Sequence, residues 1–188
     1  VLAISAHWYV RETAVTAMAA PRTIHDFGGF PPALHAFQYP ARGDPALAAR
    51  VREVVGPMDV RMDDEWGLDH GTWSVLAHVY PDADVPVVQI SIDRAMPPSF
   101  HYGLGQRLAP LRDEGVMIVG SGNVVHNLGV IQWSAGAAPY PWAASFNDTV
   151  RDLLTRGAHA PLVAYETLGD AARMSIPTPE HYLPALYV

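Results

Sequence analysis

Val85-Pro86-Val87-Val88-Gln89-Ile90-Ser91-Ile92 is the stretch on which the fold turns. It is too continuously apolar for a strand with one wet face, and it reads as a central strand of a parallel or mixed sheet. Val116-Met117-Ile118-Val119-Gly120-Ser121 repeats the theme. Between the two, Pro98 to Asp113 carries Phe100, Leu104, Leu108 and Leu111 at helical spacing, the buried stripe of a crossover helix. These segments form one βαβ unit. Outward from it, Val1 to Ser5 and Ala14 to Met18 add strands, while Pro45 to Val55, Thr72 to Tyr80 and Ala143 to Arg156 read as helices. The expected class is α/β: a three-layer α/β/α single domain, residues 1–188, around a central, mostly parallel (mixed) sheet. Functional loops then belong at the carboxyl ends of the strands.

Composition narrows the function. A chain of 188 residues with 49% hydrophobic and 16% charged residues can bury one substantial core. All 12 cations are arginine and the formal charge is -7, so no basic stripe exists to neutralise a phosphate backbone, and nucleic acid is excluded as an expected partner. No apolar run approaches the roughly 18 to 20 residues of a membrane span. The absence of cysteine removes disulfides, thiolate metal sites and a cysteine nucleophile, and it suits a reducing compartment. A cytoplasmic protein without membrane contact is expected. Oligomeric state is not encoded in any pattern here. The chain opens on the apolar Val1 to Ser5 without methionine and closes on Tyr182 to Val188, read as an apolar helix, so it looks trimmed at both ends.

With no cysteine, histidine and carboxylate remain as metal ligands. Three of the nine histidines sit in short polar segments beside apolar runs: His25 in TIHDFGGF, His126 in GSGNVVHN and His181 in PTPEHYLP. His7 follows the first strand directly, and His126 follows the strand that ends at Ser121. For His181, Thr178 reads as an N-cap and Pro179 as the first residue of a terminal helix, whose dipole disfavours imidazolium. Each histidine also has a structural reading. His25 can cap the turn from Asp26 to Phe30, His126 can satisfy backbone groups near Asn123 and Asn127, and His181 can simply pack. His35, His78, His101 and His159 read as surface or packing residues. Phe27, Phe30, Trp66, Trp73, Tyr140 and Trp142 can wall an aromatic pocket, though most read as core. Gly120-Ser121-Gly122-Asn123 lacks the lysine of a phosphate loop, so nucleotide binding is rejected.

SAHWYV, TIHDFGGFP, WGLDHGTWSVL, PVVQISID, LRDEGVMIVGSGNVVHNL, PYPWAASFN and PTPEHYLPALYV together resemble the class III extradiol ring-cleavage dioxygenases, in particular their bacterial branch acting on DOPA-like catechols. The resemblance runs over nearly the whole chain. It implies one mononuclear divalent metal at the carboxyl edge of the sheet, non-haem Fe(II) for activity, with Zn(II) able to occupy the site in purified protein. By motif, His25 and His181 match metal ligands. His126 matches a histidine described as ligand or as acid/base, and His7 and His70 match positions in the second shell or at the substrate. A further family ligand lies in a Gly-His-Gly-Ser-Pro loop that this chain lacks, in keeping with truncation at its start. The implied reaction joins O₂ to a small-molecule catechol and opens its ring to a semialdehyde. Two rivals are a zinc-dependent hydrolase on the same histidines and a non-catalytic interaction protein of the same fold.

Overall fold

The computed structural model describes residues 1–188. Along the chain lie β1 (Leu2–Val10), β2 (Ala14–Thr16), β3 (Arg61–Asp63), β4 (Val88–Asp93) and β5 (Ile118–Ser121). The helices are α1 (Pro32–Ala36), α2 (Pro45–Val54), α3 (His70–Val79), α4 (Pro98–Leu108), α5 (Pro141–Thr155), α6 (His159–Val163) and α7 (Asp170–Ser175). The sheet order is β3-β2-β4-β1-β5. β1 pairs in parallel with β4 and β5, and β2 in parallel with β3. The β2–β4 seam is antiparallel, through Val15 and Ile90, so the sheet is mixed and mostly parallel as the apolar runs predict. The crossover from β4 through α4 to β5 skips one position, because β1 lies between them.

Period-two alternation along β1 makes the three layers. Leu2 and Ile4 enter a large core with Ala48 and Val51 of α2, Leu104 and Leu108 of α4, and Leu183 and Leu186 near the chain end. Val1 and Ala3 point the other way, into a smaller core with Leu68, Trp73 and Leu76 at α3. Each fully buried leucine or isoleucine contributes about 1.5 to 3 kcal/mol relative to exposure. β4 is covered on both faces: Val88, Ile90 and Ile92 enter the large core, while Gln89 and Ser91 on the opposite face are buried and hydrogen-bonded.

Several boundaries differ from expectation for local reasons. Val85 to Val87 lie outside β4: Pro86 has no N–H for the ladder, and the N–H of Val87 goes to the carbonyl of Arg42 at 2.8 Å. The crossover helix ends at Leu108 and tightens into a 3-10 turn, Ala109–Arg112, where Pro110 denies an α-helical donor. The expected terminal helix is instead a 3-10 helix, Leu183–Tyr187. Thr178 does not cap it: its hydroxyl donates to Glu180 Oε1 at 2.7 Å. His101 is wholly buried, with Nδ1 2.8 Å from the Tyr187 hydroxyl, a packing role. His35, His78 and His159 are exposed.

A buried polar knot ties α3 to the sheet. The Asp69 side chain caps α3 by accepting the Thr72 N–H at 3.0 Å, and it also accepts from the Gln89 amide of β4. Gln89 Oε1 in turn accepts the Thr72 hydroxyl at 2.9 Å, and Asp69, Thr72 and Gln89 are all nearly inaccessible to solvent. Asp69→Ala removes a cap worth about 1 kcal/mol and strands a buried amide at about 1 to 3 kcal/mol. Urea unfolding is expected to show a loss of about 2 to 4 kcal/mol with an unchanged denaturant slope. A loss below about 0.5 kcal/mol, the range of ordinary surface changes, would remove the knot as a structural element.

Candidate active site

His7 does not follow β1 but lies within it, at a break in the ladder. Ile4 pairs with Ile90 and Tyr9 with Ile92, so Ser5 to Trp8 face Ser91 alone. The surplus is a pronounced bulge, a device that re-aims side chains beside functional sites. His70 is the first residue of α3. Gly71 lets that helix start against β1, since a Cβ there would lie 2.8 Å from His7 Cδ2. The His7 and His70 ring centroids are consequently 3.8 Å apart.

His126 lies beyond β5, its N–H bonded to the Ser175 carbonyl at 2.9 Å, while Asn127 Nδ2 donates to the carbonyl of Met174 at 2.7 Å. His181 lies in the turn before the terminal 3-10 helix, anchored by Asn123 N–H donating to its carbonyl at 2.8 Å. Gly122 makes that approach possible, because a side chain there would collide with the His181 carbonyl. The glycines of GSGN thus serve close packing of the His181 turn. The His126 and His181 rings stack at 3.5 Å, and His181 meets His7 edge-on at 5.2 Å. Four imidazoles from four separate segments form one continuous cluster.

Carboxylates complete two groups of convergent donors, His7 with Asp26 and His70, and His126 with Glu180 and His181. Asp26 and Glu180 carry no assigned role in the sequence, where adjacency does not fix side-chain direction. No pattern there could have shown that Asp26 reaches His70, 44 positions away. His25 is not brought into the cluster. Its Nε2 lies 2.8 Å from the Phe37 carbonyl, which can only accept, so Nε2 carries the proton, and its ring packs 5.8 Å from Trp73.

Burial drives the His181 pKa down to about 4, with the neighbouring His126, His7 and His70 adding to the effect. Burial and then His70 also lower His7. His181 is therefore a neutral imidazole at neutral pH. Its Nδ1 lies 3.2 Å from Asn123 Oδ1, an acceptor, which leaves the Nε2 lone pair free. Burial alone would raise the Asp26 carboxyl, but contacts from the His70 ring and backbone outweigh it and hold the group below its ordinary value. The donor set of neutral imidazole and carboxylate, without thiolate, suits a divalent iron or zinc ion.

A cavity of about 440 Å³ opens beside His126, lined by Asn123, Asn127, Gln132, Tyr140 and Trp142 among others. Tyr140 and Trp142 stack at 5.4 Å on its wall. A smaller apolar cavity of about 230 Å³, with Phe27, Phe30 and Trp73, touches His70. Of the aromatic residues read mainly as core, only Trp73 is buried, at 4% exposure, while Phe30 is 55% exposed.

A parallel-centred sheet with a histidine and carboxylate cluster beside an aromatic-walled cavity describes a metal-dependent enzyme for a small aromatic molecule. Residues 1–184 match the family described as the catalytic LigB subunit of aromatic ring-opening dioxygenase. The chain is 54% identical to the 4,5-DOPA dioxygenase extradiol of Escherichia coli (strain K12), over all of this chain and 70% of that protein. It is 42% identical to the 4,5-DOPA dioxygenase extradiol of Beta vulgaris, over 98% of this chain and 69% of that one. A crystal structure of an uncharacterized Escherichia coli K12 protein superposes with a TM-score of 0.84 at 49% identity, covering all of this chain and 72% of that one. The chain belongs to the LigB family of aromatic ring-opening dioxygenases, enzymes that use a mononuclear metal, an aromatic substrate and O₂. This membership favours ring opening over the zinc-hydrolase and non-catalytic readings. No helix is long and apolar enough to cross a membrane.

The depressed histidines carry a pH consequence. Their folded pKa values lie below the unfolded value of about 6.5, so the unfolded state binds more protons in between. Stability of the metal-free protein is therefore full above about pH 6.5 and falls as pH drops toward the His181 value of about 4. The urea midpoint should decline between about pH 6.5 and 5, before most carboxylates titrate. In His181→Asn the decline should be shallower, and a flat wild-type midpoint across that window would contradict the burial argument.

Proposed function

We propose that this chain opens the ring of a DOPA-like catechol by extradiol cleavage, forming a semialdehyde, with non-haem Fe(II) as the active metal and Zn(II) as a competing occupant. The convergence of His7, His70, His126 and His181 beside the 440 Å³ cavity carries the reading. Both atoms of O₂ enter the product, so the reaction needs no external reductant. The similarity to proteins named 4,5-DOPA dioxygenase extradiol supports the substrate class.

His181 and Glu180 are best disposed to hold the metal, with His126 stacked on His181 and His7 and His70 adjoining them. His25, a ligand by motif, joins such a site only by exchanging its bond to the Phe37 carbonyl for the metal. When bound, Fe(II) would bring the two reactants together and supply the electron density that O₂ activation requires. The protein does the rest. Tyr140 and Trp142 offer aromatic faces to the substrate ring, and the amides of Asn123, Asn127 and Gln132 offer uncharged hydrogen-bonding partners to its substituents. His126, on the cavity wall, takes a catechol hydroxyl proton and returns it later in the cycle, a task suited to an imidazole. His7 and His70 adjoin the metal group, placed to accept a hydrogen bond from a catechol hydroxyl.

Protein loaded anaerobically with Fe(II) and mixed with L-DOPA and O₂ is expected to consume roughly one O₂ per catechol and to turn yellow, whereas zinc-loaded protein should do neither. Oxygen-electrode and absorbance traces read both. Hydrolysis with zinc and no oxygen uptake with iron would overturn the proposal.

His126→Gln separates acid/base from ligand. Metal content should persist while turnover falls by roughly 10² to 10⁴, the usual share of positioned proton transfer. His181→Ala and His25→Ala should instead lower metal stoichiometry with the circular dichroism unchanged. Full metal content in either alanine variant removes that residue from the ligand set.

A further inference from the structure

Asp26 stands between two histidines that lie far apart in the sequence. Its Oδ1 accepts the backbone N–H of His70 at 2.9 Å, which pins the loop to the start of α3. The same oxygen lies 2.9 Å from His70 Nδ1, and Oδ2 lies 3.4 Å from His7 Nδ1. The side chain of Asp26 is only 20% exposed. His70 Nδ1 is itself buried, and its contact with Oδ1 is too bent to count as a regular hydrogen bond, yet it has no other partner.

This arrangement restricts where each ring can carry its proton. A neutral imidazole has one N–H and one lone pair, and a carboxylate only accepts. A lone pair on Nδ1 of His70 would oppose the lone pairs of Oδ1 in a poorly solvated position, while an N–H there meets them. The same preference acts on His7 at the longer distance. Neither ring has another hydrogen-bonding group at Nδ1 that would favour the opposite choice.

We infer that Asp26 is a positioning residue whose carboxylate holds His7 and His70 as Nδ1–H tautomers, leaving both Nε2 lone pairs free. The consequence for catalysis rests on the ring-opening reading: a free Nε2 lone pair is what a metal ion or a catechol hydroxyl requires of these rings. Asp26 acts through the two imidazoles, as carboxylates behind metal-site histidines commonly do. The negative charge also keeps the pair oriented where two imidazoles 3.8 Å apart could otherwise exchange roles.

Long-range proton–nitrogen NMR of the metal-free, nitrogen-labelled chain at about pH 8, above the ordinary imidazole range, reads each tautomer directly. His7→Gln and His70→Gln assign the signals. Wild-type His7 and His70 should appear as Nδ1–H forms. In Asp26→Asn the His70 signals should shift toward a mixture containing Nε2–H, and Asp26→Glu should restore the original form at least partly. A wild-type majority of Nε2–H at His70 overturns the inference whether or not the variant folds. Unchanged tautomers in a folded Asp26→Asn protein overturn it equally, and they would make Asp26 a structural pin or a direct ligand. In iron-loaded protein, Asp26→Asn should lower metal affinity or turnover by about 10- to 100-fold. The tautomer measurement needs no metal, substrate or turnover, so failure of ring opening and failure of this inference remain distinguishable.

Discussion

Ser5 to Trp8 of β1 face the single residue Ser91 of β4, and the site depends on that mismatch. A strand held in register along its whole length would alternate its side chains strictly between the two cores. His7 keeps the parity of Val1 and Ala3 and faces α3 beside Ser5 at Gly71, while the break loosens its pairing with β4. The cost of unpaired ladder groups is partly offset locally, because the Ser5 hydroxyl accepts the His7 N–H at 3.2 Å. The Ser91 hydroxyl fills a similar need on the other strand by accepting the Ala14 N–H at 2.7 Å. Regular pairing resumes at Tyr9 and Val10, so the bulge is held from both ends.

Around this break the fold gathers imidazoles that electrostatics alone would keep apart. Burial and the neighbouring imidazoles disfavour positive charge on His181, whose value falls to about 4, and on His7. Their proximity is therefore stable while they are neutral, which is the state in which imidazole ligates a metal or accepts a proton. Asp69 and Asp26 supply negative charge near His7, with Asp26 in contact with both His7 and His70, and Glu180 lies beside His126 and His181. The same feature that makes the cluster a weak point at low pH makes it a donor set at neutral pH. Glycines at 71 and 122 allow the backbone approaches on which the cluster relies.

Much of the architecture was legible because it follows from short-range rules. Continuous apolar runs marked β4 and β5, and the spacing of Leu104, Leu108 and Leu111 marked the crossover. The boundaries went wrong where proline intervened, at Pro86 and Pro110, since a missing donor acts on one hydrogen bond that a hydrophobic pattern does not register. His181 was misplaced in a helix for a related reason: Thr178 has the chemistry of an N-cap, but its hydroxyl is drawn to Glu180. The candidate histidines were legible as a set through their motifs. Which of them touch was not: His7 meets His70 and His181, while His25 faces a backbone carbonyl.

By itself the sequence determined the fold class, the absence of thiolate chemistry, the pool of histidine donors and the family to which the chain belongs. These depend on composition, periodicity and local motifs, all of which are properties of the linear chain. Tertiary structure alone decided that four imidazoles from four segments meet, that Asp26 lies between His7 and His70, and that an aromatic-walled cavity opens beside His126. These side chains meet because β1 runs beside α3 and because the backbone approaches closely at Gly71 and Gly122. Both arise from pairings between residues far apart along the chain, and no local pattern encodes them.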